Sequence, residues 1–158
     1  FSEEKAKAFC REKGIGIGDT AMEVIRLKAN ASDKFLEVVR PIDPEKVLSQ
    51  IPECVAIVVT GQKAMDTLLS VLPGTEEPKV GFSSEFSCMG RTMRLFRMPS
   101  SSRAYPKPLE EKAAIYRGMF ETLGCEASLP YSIPCLRSTS SIRLWSLMHE
   151  LIFSKVQL

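Results

Sequence analysis

The chain has 158 residues, 44% hydrophobic and 25% charged, with a formal net charge of +2, a composition typical of one globular domain with a sizeable core. No apolar run reaches the roughly 18 residues that span a bilayer, which argues against an integral membrane protein. The five cysteines form no Cys-x-x-Cys pair, and the single histidine is His149. These counts predict free thiols in the cytoplasm and argue against a metal site and a Ser–His or Cys–His nucleophile.

The first residues predict a helix, a strand and a second helix. A single apolar stripe among charged residues predicts a helix over Ser2–Lys13. In Gly14–Asp19 isoleucine alternates with glycine, which predicts a short buried strand whose glycines admit another backbone or a ligand. The apolar residues of Thr20–Leu27 predict a short helix, for which Asp19 is a suitable N-cap.

The middle of the chain alternates strand and helix patterns. An extended segment is expected at Phe35–Val39, and Asp43-Pro44 is a favourable helix start. The unbroken apolar run Val55–Val59 is typical of a central parallel strand. The later elements predicted by such patterns are a helix at Met65–Leu72, strands at Val80–Phe86 and Arg91–Met98, and a helix at Leu109–Leu123.

Strand, polar loop and helix in succession predict an α/β domain over residues 1–124. Ligands of such domains bind beyond the carboxyl ends of the strands. Three polar segments are therefore expected at one edge of the sheet: Gly18–Thr20, Thr60–Lys63 and Pro99–Arg103. Residues 125–158 differ in composition and are expected to form a C-terminal extension, helical near 142–156.

The most informative stretch is the serine-rich string from Met98 to Pro106. It follows a predicted buried strand and precedes a predicted amphipathic helix, and its hydroxyls, amides and Arg103 suit phosphate binding. Between Lys79 and Arg117 the chain has eight basic and three acidic residues, which favours a polyanionic partner. A Ser/Pro linker beside a solvated basic face is the alternative interpretation.

Three motifs follow one another over residues 14–123: GIGIGDTAMEV with RLKANASD, then VAIVVTGQKA, then FRMPSSSRAYP before a helix. Their order resembles the uracil-DNA glycosylase superfamily, most of all its mismatch-type and hypoxanthine-type branches. MPSSS, the most specific string, is similar to the second signature loop of thymine-DNA glycosylases. The resemblance implies a three-layer α/β/α fold around a mostly parallel four-stranded sheet, and hydrolysis of the N-glycosidic bond of a flipped uracil or hypoxanthine in DNA.

The resemblance also implies roles for single residues. Asp19 and Thr60 match positions that contact the flipped base. Arg103, or else Tyr105, falls where the family inserts a wedge into the gap left by that base. The residues matched to DNA contacts are Gln62, Lys63, Pro99, Ser100, Ser101, Ser102, Arg103 and Tyr105.

Two departures from the family pattern bear on catalysis. Met98 stands where the housekeeping enzymes have a catalytic histidine. The first signature, with its water-activating Asp or Asn, does not occur in the chain and is expected upstream of Phe1, so the catalytic residue is unknown. A monomeric DNA glycosylase without cofactor or metal is the leading hypothesis. A non-catalytic nucleic-acid-binding module of the same fold and a small nucleotide-binding α/β domain are the alternatives.

Overall fold

The computed structural model describes residues 2–27, 35–102 and 105–124. The predicted extension at 125–158, its helix near 142–156 and Arg103 lie outside these ranges. Within them the elements are, in chain order, α1 (Glu3–Glu12), β1 (Ala21–Arg26), β2 (Leu36–Pro41), α2 (Pro44–Gln50), β3 (Ala56–Thr60), α3 (Gln62–Leu69), β4 (Ser83–Cys88), β5 (Arg91–Met98) and α4 (Leu109–Thr122).

The described strands form two small sheets. β5 lies between β3, which runs parallel to it, and β4, which runs antiparallel. β1 and β2 pair with each other in an antiparallel sheet of two strands. The predicted mixture of helices and strands is confirmed. The described residues do not form a four-stranded sheet, and β3 with β5 is their only parallel pair.

Two hydrophobic cores lie on opposite faces of β5, because successive side chains of a strand point to opposite faces. Met93 and Leu95 belong to the core that includes Met65 and Leu68 of α3. Phe96 and Met98 belong to the core that includes Tyr116 and Met119 of α4. The helices α3 and α4 therefore cover opposite faces of the three-stranded sheet.

Side-chain caps begin the first two helices, and the cap at Asp43 was predicted from the sequence. The Asp43 carboxylate accepts a hydrogen bond from the Lys46 amide at 3.1 Å, and Pro44 occupies the first turn of α2. The Ser2 hydroxyl accepts from the Lys5 amide at 3.4 Å at the start of α1. Such caps satisfy amides that have no partner within the helix.

The prediction for Gly14–Leu27 was wrong in both of its elements. Residues 15–19 form no strand, and a side chain placed on Gly16 or Gly18 would meet no atom within 4 Å. The predicted helix at Thr20–Leu27 is the strand β1, and Asp19 therefore caps no helix. Short apolar runs do not distinguish helix from strand, and cross-strand pairing of Val24 with Val38 decides for the strand.

Leu95→Ala tests the importance of β5 for folding. Leu95 is fully buried, and we expect its truncation to lower the free energy of unfolding by about 2–5 kcal/mol through lost burial and an unfilled cavity. The matched control is Val24→Ala, because Val24 is 41% exposed and its truncation should change stability by about 0.5 kcal/mol or less. Urea denaturation followed by circular dichroism measures both. Equal effects would contradict the central position of β5.

Candidate nucleic-acid interface

The parallel strands β3 and β5 end side by side. Thr60 is paired with Met98, and the Gly61 amide donates to the Met98 carbonyl at 3.4 Å. The chain leaves β3 into α3 and leaves β5 into Pro99–Ser102, which we call the serine loop. A Cβ atom on Gly61 would lie 3.9 Å from the Cβ of Ser100. Two of the three segments expected at one edge of the sheet therefore meet.

Gly61 turns the chain sharply from β3 into α3. Its φ of 91° and ψ of 162° belong to a backbone region that is essentially restricted to glycine. No side chain caps α3, and the amides of Gln62 and Lys63 donate to no group in the described part of the chain. Unpaired amides and the helix dipole make such an end attractive to anions.

The serine loop is largely packed against the protein. Pro99 is among the fully buried residues and Ser101 is 6% exposed, whereas Ser100 and Ser102 are half-buried. The Ser100 hydroxyl accepts a hydrogen bond from the Ser102 amide at 3.2 Å. The amides of Ser100 and Ser101 donate to no group within residues 2–27, 35–102 and 105–124. Of these two residues, Ser100 is the more exposed to solvent.

Helix α4 supports the serine loop from the other side. The Tyr116 hydroxyl donates to the Pro99 carbonyl at 3.0 Å, and the Lys112 ammonium donates to the Ser102 carbonyl at 2.8 Å. The same ammonium lies 5.2 Å from the centre of the Tyr105 ring, a distance at which a cation is attracted to the ring face. The amide of Tyr105, which was expected as a possible wedge, donates to the Ser102 carbonyl at 3.2 Å.

Burial shifts the pKa values of both α4 side chains. It lowers the pKa of the Lys112 ammonium and raises the pKa of the Tyr116 hydroxyl well above its usual value of 10.0, because a poorly hydrated site disfavours the charged form of each group. Tyr116 therefore stays a neutral hydrogen-bond donor throughout the physiological pH range. Neither side chain was singled out in the sequence as part of the site. Their spacing of four residues, which places two side chains on one helix face, is the signal that could have found them.

Gln62 is held in a network of charged side chains. Its amide nitrogen donates to Asp66 at 2.7 Å and to Glu77 at 3.1 Å, and its amide oxygen accepts from Arg97. Arg97 also forms an ion pair with Glu77 at 2.9 Å. A phosphate contact by Gln62 would have to compete with these partners.

Lys63 follows Gln62 in the first turn of α3. It lines a groove of about 480 Å³ between α3 and the β1–β2 sheet, together with Glu37, Asp66 and Thr67. Its side chain is exposed. Lys63 is therefore accessible to a solute ligand beside the first turn of α3.

We expected Asp19 at this edge because it was predicted to end a strand. In the structure, residues 15–19 form no strand. Asp19 precedes β1, is exposed, and makes no hydrogen bond or ion pair with a described residue. The next residue, Thr20, accepts through its carbonyl from the Ile42 amide at 2.9 Å. No hydrogen bond or ion pair joins Asp19 to Thr60 or to the described residues of the serine loop.

The basic residues of Lys79–Arg117 are spread over the domain. Arg91 begins β5, about 23 Å from Met98 at the usual rise per strand residue, and donates to carbonyls of Leu48 and Pro52. Arg94 donates to the Thr122 carbonyl and is paired across the strands with Glu85. Because β5 carries them away from its carboxyl end, Arg91 and Arg94 do not lie beside the serine loop, whereas Lys112 contacts it.

No family model, curated protein or solved structure matches this chain. In the described part of the chain, no three His, Cys, Asp or Glu side chains are grouped so that they could hold a metal ion. No described helix has the length and apolarity needed to cross a membrane.

Gly61→Ala tests the turn between β3 and α3. We expect it to lower the free energy of unfolding by about 1–3 kcal/mol because alanine is strained at this φ and ψ. Gly118→Ala is the matched control, since Gly118 lies within α4 and has no atom within 4 Å of an added Cβ. It should stabilise the protein by about 0.5–1 kcal/mol. Thermal and urea denaturation measure both variants, and a stabilising Gly61→Ala would contradict the observed turn.

Lys112→Met tests whether the lowered pKa of the buried Lys112 ammonium makes stability depend on pH. Burial lowers the pKa of Lys112 below 10.5. Between the lowered value and 10.5 the unfolded chain binds a proton that the folded chain has released, so the stability of the wild type rises with pH in this window. We expect the free energy of unfolding of the wild type, relative to Lys112→Met, to increase as the pH approaches 10.5. Lys46→Met, at an exposed position of α2, should show no such trend relative to the wild type.

Proposed function

We propose that this chain is a DNA-binding domain of the uracil-DNA glycosylase type that holds backbone phosphates where β3 and β5 end. The observation that supports this best is the approach of Ser100 to Gly61, with a distance of 3.9 Å from an added Cβ. It brings together two of the three motifs that carry the resemblance, TGQKA and MPSSS.

The chemistry of this edge suits a phosphate. The amides of Gln62 and Lys63 and those of Ser100 and Ser101 have no partner among the described residues. Phosphate oxygens accept hydrogen bonds from backbone amides at helix starts and in tight loops. Lys63 adds an exposed cation beside these amides, and the binding is therefore proposed to depend on hydrogen bonds as much as on net charge.

We further propose the finer fold that the resemblance implies, with three layers and a four-stranded, mostly parallel sheet. The cores on both faces of β5 support three layers. The outer edge of β3 has no partner strand in the described ranges and offers backbone groups to a fourth strand. The free thiols among the described cysteines support the proposal that the protein acts in the cytoplasm, as a monomer without cofactor or metal.

Base excision is the activity that the resemblance adds to DNA binding. In this proposal Thr60 and Asp19 contact a uracil or hypoxanthine flipped out of the duplex. Thr60 is half-buried at the end of β3, next to the serine loop. The water that attacks the sugar requires a positioned carboxylate or amide, which is the role of the first signature in the family that the chain resembles.

A nucleic-acid-binding module without glycosylase activity is the second candidate. It is favoured by the side-chain partners of two described carboxylates beside the start of α3. Asp66 accepts from Gln62, and Glu77 is paired with Arg97, so each already has one oxygen engaged by a neighbouring side chain. Phosphate binding at the serine loop requires neither of them.

The salt dependence of DNA binding tests the phosphate contacts that both candidate functions share. We expect oligonucleotides to bind with a log–log salt slope of about −0.9 for each phosphate contacted in B-DNA. Lys63→Gln should reduce the magnitude of the slope by about 1. Lys46→Gln, an equal change of charge on α2, should leave the slope unchanged. Fluorescence anisotropy at several salt concentrations measures it, and equal slopes for all three proteins would contradict a phosphate contact by Lys63.

Strand cleavage separates the two candidates. The protein is incubated with duplex oligonucleotides that contain one uracil or one hypoxanthine, and alkali then cleaves the abasic sites. A shortened strand from either lesion supports the glycosylase. Salt-dependent binding without a shortened strand supports the non-catalytic module.

A further inference from the structure

Two side chains of α4 donate hydrogen bonds to backbone carbonyls at the two ends of the serine loop. The Tyr116 hydroxyl donates to Pro99 at 3.0 Å, and the Lys112 ammonium donates to Ser102 at 2.8 Å. Lys112 and Tyr116 are one helical turn apart and lie on the same face of α4. One rigid element thus holds both ends of a loop that has no strand partner of its own.

The first of these hydrogen bonds sets the direction of an amide. In a planar trans peptide the C=O and N–H groups point in opposite directions. Because the Pro99 carbonyl points at Tyr116, the Ser100 amide of the same peptide group points away from α4. That amide donates to no described group, and Ser100 lies beside Gly61. A hydrogen bond to the carbonyl also polarises the peptide and strengthens its N–H as a donor.

The second hydrogen bond places a positive charge behind the loop. Lys112 is 3% exposed, and a buried ammonium is costly unless other groups compensate for its lost hydration. Here the Ser102 carbonyl accepts from it, and the Tyr105 ring lies 5.2 Å away. Charges in poorly hydrated sites are weakly screened, so an anion on the other side of the loop would be attracted by this ammonium without touching it.

We infer that Lys112 and Tyr116 are positioning residues for phosphate: they hold the serine loop from behind so that the Ser100 amide is directed to a phosphate oxygen. The inference rests on the proposed function for the identity of the anion. The fixing of the loop by α4 is independent of that function. Neither side chain needs to touch the nucleic acid.

The test compares Tyr116→Phe and Lys112→Met with the wild type by NMR, at a temperature where each protein is folded. Tyr116→Phe keeps the ring in the core and removes only the donor. Lys112→Met keeps the length of the side chain and removes the ammonium. Lys46→Met is the control, since Lys46 is exposed on α2 and its replacement changes the net charge equally. The measurements are hydrogen exchange of the Ser102 amide, which donates to the Ser100 hydroxyl and so reports the closed conformation of the loop, and the Ser100 amide proton shift on titration with inorganic phosphate.

We expect loop exchange to be about 3- to 10-fold faster in Tyr116→Phe, the net effect of one lost hydrogen bond. In Lys112→Met it should be about tenfold faster or more, because a charge-assisted hydrogen bond is lost. Both variants should also weaken phosphate binding as followed by the Ser100 shift, and Lys46→Met should match the wild type. A general loss of stability would instead speed exchange in the β3–β5–β4 sheet as well.

The inference would be overturned if both variants had the same loop exchange rate and the same phosphate affinity as the wild type. If Lys112→Met does not fold, Tyr116→Phe decides alone. A wild-type Ser100 amide that does not respond to phosphate would overturn the anion-directing role. Failure of the wild type to bind oligonucleotides, with an intact phosphate response, would reject the proposed function and leave the inference supported.

Discussion

The position of β5 between β3 and β4 is the constraint on which the other features depend. Its side chains supply both cores, one beneath α3 and one beneath α4. Its parallel pairing with β3 brings Thr60 next to Met98, so the loops that follow these strands must start within a few ångströms of each other. The serine loop is therefore placed by strand register, and its conformation is then fixed by contacts with α4.

The edge formed in this way is built from backbone donors more than from net charge. Arg91 and Arg94 donate to carbonyls elsewhere in the domain, and Arg97 is paired with Glu77. The groups beside Gly61 that have no described partner are amides of the serine loop and of the first turn of α3. A partner with regularly spaced oxygen acceptors, such as a phosphodiester backbone, matches this set better than a merely polyanionic surface would.

Strong local signals led to correct predictions, and weak ones did not. Asp43-Pro44 predicted the start of α2 because a capping carboxylate and proline act within one turn. The unbroken apolar run before Thr60 predicted the parallel strand β3, although β3 lies at an edge of the described three-stranded sheet and not at its centre as expected. Thr20–Leu27 was mistaken for a helix because a stretch of only eight residues with mixed apolar and polar side chains fits both the helical and the strand period. Its pairing with β2 is a contact between distant residues, which no local pattern contains.

The sequence by itself determined the α/β class, the bounds of most helices and strands, and the presence of a polar turn after β3 and after β5. Those features follow from capping, periodicity and turn chemistry, which act over a few neighbouring residues. Only the tertiary structure decided that Gly61 and Ser100 meet, that Arg91 lies far from them, and that Lys112 is buried beneath the loop. These facts depend on strand order and helix packing, which join residues far apart in the chain.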